Sequence, residues 1–249
     1  MAGVKTGISG QINNNIVTDG LVLSYDAAYK KSYPRSGTTW IDLIGTNNAT
    51  FEGSDGDNNT PQFQNTNLGV LNFDGVDDKI IIAPSTFTNF NEVSISMWVK
   101  VLSDAGGYKC FFSARNAASG NDFTTGINVD MMSYNSGNWQ HLNVEGAGRI
   151  GYQVDQMTTS VDFGVWAHLG VTISTSNIEV YINGQQQNSR SRSNVAMGLQ
   201  YISIGSRYYQ GGYKGYLNAD ISGVQLYNRV LSNTEVTQNY QAQKGRFGL

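Results

Sequence analysis

Tyr216-Leu-Asn-Ala-Asp-Ile-Ser-Gly-Val-Gln-Leu-Tyr-Asn-Arg-Val-Leu-Ser-Asn-Thr-Glu-Val236 is the stretch on which the fold turns. Residues 221–228 mix Ile221, Val224, Leu226 and Tyr227 with small polar residues, a strand-like composition. Ser232 and Glu235 then have the S-x-x-E spacing of a capping box, and Leu231 and Val236 stand where a hydrophobic staple would. The segment therefore predicts a closing β-strand that runs into a short capped helix.

Upstream, the same two-residue period recurs. Val93, Ile95, Met97, Val99 and Val101 alternate with Ser94, Ser96, Trp98 and Lys100. Leu21–Tyr25, Ala167–Ile173, Ile178–Ile182 and the pair Ile202/Ile204 read the same way, and Asn183-Gly184 is a type I′ hairpin signal. Asp74-Gly75 makes a turn between Val70–Phe73 and Ile80–Ala83. Helix-capping signals occur only near the C-terminus. Many short strands separated by turns predict an all-β antiparallel sandwich or jelly roll with a short C-terminal helix. Residues 29–68, 103–107, 115–122 and 185–198 read as long polar loops, with room in 29–68 for a small extra element. Residues 1–19 are Gly- and Asn-rich; an extended arm and a disordered tail both fit them. The organisation expected is an arm over 1–19 and a single jelly-roll domain over 20–249.

Composition narrows the partners. Of 249 residues only 14% are charged and the net charge is −3, with a pI near 5.3. This gives no electrostatic case for nucleic acid. Arg190-Ser-Arg192 reads as a solvated loop. No apolar run approaches the ~20 residues that cross a bilayer, so no membrane partner is expected. The start of the chain lacks the apolar core of a secretory signal. A polar, uncharged surface without such a signal suits a virion component made in a host cytoplasm; an extracellular location by another export route is the alternative. The lone cysteine, Cys110 in Lys109-Cys-Phe-Phe112, reads as a small buried hydrophobe.

Four blocks, in order, resemble the laminin G-like, concanavalin A-like jelly-roll family. They are Leu71-Asn-Phe-Asp-Gly-Val-Asp-Asp-Lys-Ile-Ile-Ile82; Val93-Ser-Ile-Ser-Met-Trp-Val-Lys100; Trp166-Ala-His-Leu-Gly-Val-Thr-Ile173 with Ile178-Glu-Val-Tyr-Ile-Asn-Gly184; and Ile202-Ser-Ile-Gly205 followed by Asp220–Ser232. They cover roughly residues 20–240. A narrower resemblance starts at Ile16-Val-Thr-Asp-Gly-Leu-Val-Leu-Ser-Tyr-Asp-Ala-Ala28. It continues through Ser32-Tyr-Pro-Arg-Ser-Gly-Thr-Thr-Trp-Ile-Asp-Leu43. Together these resemble the opening of jelly-roll modules in structural proteins of tailed bacteriophages. That likeness implies a non-enzymatic virion module, on a capsid, tail or fibre, whose partners are other virion proteins or copies of itself. A carbohydrate-binding lectin is the alternative, and a glycan hydrolase the third reading.

Catalytic residues are hard to find. Some relatives hydrolyse polysaccharides, and a retaining enzyme needs two carboxylates about 5–5.5 Å apart. Glu52, Glu92, Glu145, Glu179 and Glu235 are scattered, Asp55 with Asp57 falls in a loop composition, and Asp130 has Asn128 where a partner acid would be. His141 and His168, each two residues after a tryptophan, read as structural. The expectation is no enzyme. Several relatives hold structural calcium with oxygen ligands, which makes Asp26, Asp74, Asp77, Asp78 and Asp220 candidates. Asp26 and Asp220 stand as the metal candidates; a structural hydrogen bond is the competing reading at Asp220, and turn chemistry at Asp74-Gly75. The ligand-binding candidates lie in Gly205-Ser-Arg-Tyr-Tyr-Gln-Gly-Gly-Tyr-Lys-Gly-Tyr216: Arg207, Tyr208, Tyr209, Tyr213 and Tyr216, with Gln210 and Lys214 beside them. Tyrosines can stack on sugars and the cations can bond hydroxyls; an ordinary strand pair or a subunit contact fits equally.

Overall fold

The computed structural model describes residues 15–53, 60–103, 106–118, 126–132, 137–146 and 155–249. Two eight-stranded antiparallel sheets enclose one hydrophobic core. The back sheet runs β15 (Gln185–Ser191), β14 (Asn177–Ile182), β13 (Ala167–Ile173), β8 (Val93–Ser103), β20 (Asn218–Tyr227), β5 (Val70–Asp74), β4 (Gln62–Gln64), with β1 (Leu21–Asp26) also paired to β20. The front sheet runs β12 (Asp155–Asp162), β11 (Asn138–Gly146), β10 (Ile127–Met132), β9 (Tyr108–Arg115), β17 (Tyr201–Ile204), β6 (Lys79–Ile82), β3 (Ala49–Glu52), β2 (Thr39–Trp40). Two small ribbons flank them, β7 (Asn89–Phe90) with β16 (Met197–Gly198), and β18 (Arg207–Tyr209) with β19 (Gly212–Lys214).

The alternation read in the sequence places the core. Val93, Ile95, Met97, Val99 and Val101 of β8 face inward, level with Leu169, Val171 and Ile173 of β13 and Val224 and Leu226 of β20. The front sheet answers with Phe112, Ala114, Ile127, Val129, Met131, Ile202 and Ile204. Because successive side chains alternate between faces, each sheet also has a polar outer row.

The closing strand spans 218–227, and the predicted helix is α1 (Asn233–Gln243), followed by a 3₁₀ turn, Lys244–Phe247. Its capping box is complete: Ser232 Oγ accepts from Glu235 N, and the Glu235 carboxylate accepts from Ser232 N. Leu231 and Val236 are buried in one apolar cluster, as a staple requires. Arg229 grips both Glu235 oxygens, at 3.0 and 2.6 Å, and this contact holds the carboxyl down at about 2. Asn183 and Gly184 have the paired positive φ of a type I′ turn. The Asp74-Gly75 turn joins two sheets rather than two neighbouring strands, since β5 lies in the back sheet and β6 in the front.

Three expectations change. Residues 29–68 hold β2, β3 and β4 rather than one loop, and 185–198 holds the edge strand β15 and the short β16. Gln185-Gln-Gln-Asn-Ser-Arg-Ser191 has no apolar alternation because an edge strand with mostly wet side chains needs none. Residues 15–19, the end of the expected arm, lie on the chain's own helix. Ile16 and Val17 are buried, Val17 N donates to Asn239 Oδ1, and Gln238 Nε2 donates to Asn15 O. The rest of that arm lies outside the described residues, as do Asp55 and Asp57. Among the described residues, no helix is long and apolar enough to cross a membrane.

Candidate functional site

The back sheet's outer row is closed from within the chain. Trp98 stacks on Phe247 at 4.1 Å between ring centres, with Tyr240 at 5.9 Å, and Trp166 rests on Phe247 at 4.6 Å. Under this roof His168, fully buried, is hydrogen-bonded through Nε2 to Ser96 Oγ at 2.8 Å. Burial drives its imidazole down to about 3. The two metal candidates sit on the same face, each against a cation: Asp26 pairs with Arg246 at 2.8 Å, and Asp220 with Lys100 at 2.6 Å and Asn72 at 2.7 Å. Neither belongs to the acidic group that does converge, Asp74, Asp77 and Asp78, whose ligand atoms lie within 4.8 Å of one another. In that group Asp74 Oδ1 accepts from Val76 N and Asp78 Oδ2 from Asp74 N, which is turn chemistry.

The front sheet's outer row is different. Strand register sets Ser203, Ser113, Asn128 and Glu145 in one line, and Cys110, Asp130 and Asn143 in the next. All but Glu145 are fully buried. Cys110 Sγ donates to Asn128 Oδ1 at 3.2 Å, and Asn128 Nδ2 donates to Asp130 Oδ2. Arg207 enters this row from above: Nη1 meets Asp130 Oδ2 at 2.7 Å and Nη2 meets Glu145 Oε2 at 3.1 Å. Thus Asp130, which has an asparagine at the in-strand position, gains an acidic neighbour from the adjoining strand. Sequence spacing missed this pair because it belongs to the register of β10 with β11. The available signal was the polar alternation within two apolar runs, Asn128/Asp130 and Asn143/Glu145.

Arg207 comes from the predicted ligand loop, which folds as the β18–β19 ribbon over the front sheet. Gly205, at φ +79°, starts it; a Cβ there would stand 2.6 Å from the Phe73 ring. Gln210 and Gly211 both have positive φ, a type I′ turn. Register opposes Tyr208 to Tyr213 and Arg207 to Lys214, so the five ligand candidates divide. Arg207, Tyr209 and Lys214 share one face, with both cations about Tyr209 (5.3 and 5.4 Å). Tyr208 and Tyr213 share the other and meet edge to face at 5.3 Å. Against this second face lies Arg115, the last residue of β9. Its guanidinium is 4.2 Å from the Tyr208 ring centre, 5.4 Å from Tyr201 and 5.7 Å from Tyr213. Lys79 adds an ammonium 5.3 Å from Tyr213 and 6.0 Å from Tyr216. The tyrosines are half-buried. The structure therefore brings Tyr208, Tyr213 and Tyr216 to one cationic platform, adds Arg115, Tyr201 and Lys79, and turns Tyr209 and Arg207 away from it.

Two antiparallel sheets closed by a capped helix, with polar side chains lining an outer face, define a jelly-roll sandwich of the lectin type. The Laminin_G_3 family model, described as the concanavalin A-like lectin/glucanases superfamily, matches residues 74–237, and the chain belongs to that family. No curated protein matches the chain. Solved structures share the fold at low identity. Domain 4 of AbnA, a GH43 extracellular arabinanase from Geobacillus stearothermophilus solved with arabinotriose, is 19% identical with a TM-score of 0.60. The match covers 89% of this chain and 98% of that domain. Trypanosoma rangeli sialidase with sialic acid has 15% identity and a TM-score of 0.65, over 96% of this chain and 36% of that one. The botulinum neurotoxin serotype D ligand binding domain with N-acetylneuraminic acid has 16% identity and a TM-score of 0.62, over 90% and 51%. The chain thus spans nearly all of the first and about a third to a half of the other two.

Proposed function

We propose that this chain is a non-enzymatic glycan-binding jelly roll, displayed as a structural module of a tailed-phage type of virion. The observation that carries the glycan reading is the platform of Tyr208, Tyr213, Tyr216 and Tyr201 interleaved with Arg115 and Lys79 on the front face. Aromatic rings offer flat apolar surface to the C–H faces of a sugar, and cations beside them donate to its hydroxyls. Sugar-bound relatives of the same fold support the reading by analogy. The non-enzymatic part rests on Asp130 and Glu145. They share one guanidinium, and Asp130 has no exposed surface with which to meet a substrate. The virion setting is supported by the resemblance of residues 16–43.

A glycan array tests the binding. The wild-type chain should bind a restricted set of sugars, and Tyr208→Ala with Tyr213→Ala should weaken binding about tenfold or more, stacking being worth of order 1 kcal/mol or more per ring. Binding unchanged by both substitutions would sink the platform, and release of reducing sugar by the pure chain would sink the non-enzymatic reading. Mass spectrometry of purified particles decides the setting: absence of the chain leaves a stand-alone lectin.

A further inference from the structure

We infer that the glycan taken at this platform is acidic, carrying a carboxylate or sulfate, and that Arg115 is the residue that binds its anionic group. The inference rests on the glycan-binding reading and narrows it to a ligand class. Its basis is a charge imbalance around Arg115.

Arg115 is 96% buried by surface area, with a relative exposure of 4%. Its Nε donates to the carbonyls of Ala117 and Ala118 at 3.1 and 3.2 Å. Among the described residues, its two terminal nitrogens have no acceptor and no carboxylate lies within ion-pair distance. Other buried cations are matched. Arg207 has Asp130 and Glu145, Arg246 has Asp26, and Lys100 has Asp220. Arg192 is held by the carbonyls of Asn91, Ser174, Ser193 and Val195. For Arg115 the surroundings are instead the rings of Tyr208, Tyr201 and Tyr213. Ring faces compensate a buried cation only in part, and a guanidinium out of water without an anion is costly.

The imbalance points outward. A guanidinium whose Nε and flat face are already engaged presents its remaining N–H donors as a pair, the geometry that fits two oxygens of a carboxylate or sulfate. Lys79 adds a second positive charge next to Tyr213. Among the described residues its carboxylate partner, Glu52, is 3.7 Å away with a side chain 46% exposed, so that pairing is loose, while Asp77 acts on Tyr216 at the platform's edge. These two positive charges stand in a chain whose net charge is −3.

The experiment is isothermal titration of the full chain with matched oligosaccharides: one ending in a uronic or sialic acid, its carboxyl-reduced twin, and a sulfated counterpart. The acidic forms should bind about tenfold or more tightly than the reduced twin, as expected for charge-assisted bonds, and the advantage should shrink as salt rises. Comparing the two acidic forms tells carboxylate from sulfate. Arg115→Gln should erase the preference. Arg115→Lys should keep part of it, since an ammonium retains the charge without the fork. Because Arg115 also ties down two carbonyls, the salt dependence of the wild-type chain provides a measure that needs no variant. Equal binding of acidic and reduced forms, or a preference that survives Arg115→Gln, overturns this inference and leaves the glycan reading standing. Failure to bind any of the three, together with an empty glycan array, overturns both.

Discussion

The two outer faces of this sandwich start alike and end differently. Strand alternation gives each a row of polar residues: Ser94, Ser96, His168 and Thr172 on the back, Ser113, Asn128, Asp130 and Asn143 on the front. On the back, the chain's own C-terminal helix and 3₁₀ turn cover the row with an aromatic stack, and Asp26, Asp220 and His168 each have a partner within the chain. On the front, a short ribbon covers the row with one arginine, and beside it a second arginine lies buried against tyrosines without a carboxylate among the described residues. A face completed by its own chain is scaffold; a face left with a buried charge to satisfy is where the proposed ligand would contribute. Both faces are polar in the sequence, and only their roofs distinguish them.

The largest test of that contrast is Arg207→Met. It strips the shared cation from a fully buried aspartate and a mostly buried glutamate, and should cost about 3–5 kcal/mol in urea unfolding. A loss below about 1 kcal/mol would mean that the front row is solvated like an ordinary surface pair. Next comes the back face in acid. His168 is held down at about 3 in the folded chain against an unfolded value near 6.5, so the unfolded chain takes up a proton first as pH falls. Its penalty is absent above about pH 6.5 and grows by about 1.4 kcal/mol per unit toward pH 3, about 2 kcal/mol by pH 5. Unfolding curves of wild type and His168→Gln should diverge over this window; parallel curves would show that the helix does not seal the row. Smallest is Ser232→Ala, which removes one half of the capping box and should lower the melting free energy by about 1 kcal/mol. It should leave the proposed glycan binding on the far face untouched.

Much of the scaffold was legible in residue order. Val93–Val101, Ala167–Ile173 and Ile178–Ile182 alternate because one side of each strand meets the core, and a period of two survives in the sequence. Ser232 with Glu235 and Asn183 with Gly184 were legible because caps and tight turns are made by residues a few positions apart. Gln185–Ser191 was not, because an edge strand whose side chains are mostly wet carries no such period. The site was legible in part. The tyrosine-rich loop stood out by composition, but its division into two faces depends on a turn at Gln210-Gly211 that sets Tyr208 opposite Tyr213. Arg115 gave no signal, since it lies over 90 residues from the ring it covers.

By itself the sequence determined what local chemistry can encode: strand period, turn type, helix cap and a surface poor in charge. The tertiary structure alone decided which polar rows meet which roofs. Asp130 has Glu145 as a neighbour through strand register, His168 is sealed by a helix more than 60 residues away, and Arg115 lies against Tyr208 through sheet packing. Hydrogen-bonded register and side-chain burial are long-range, so the balance of charge at each face exists only once the chain has closed.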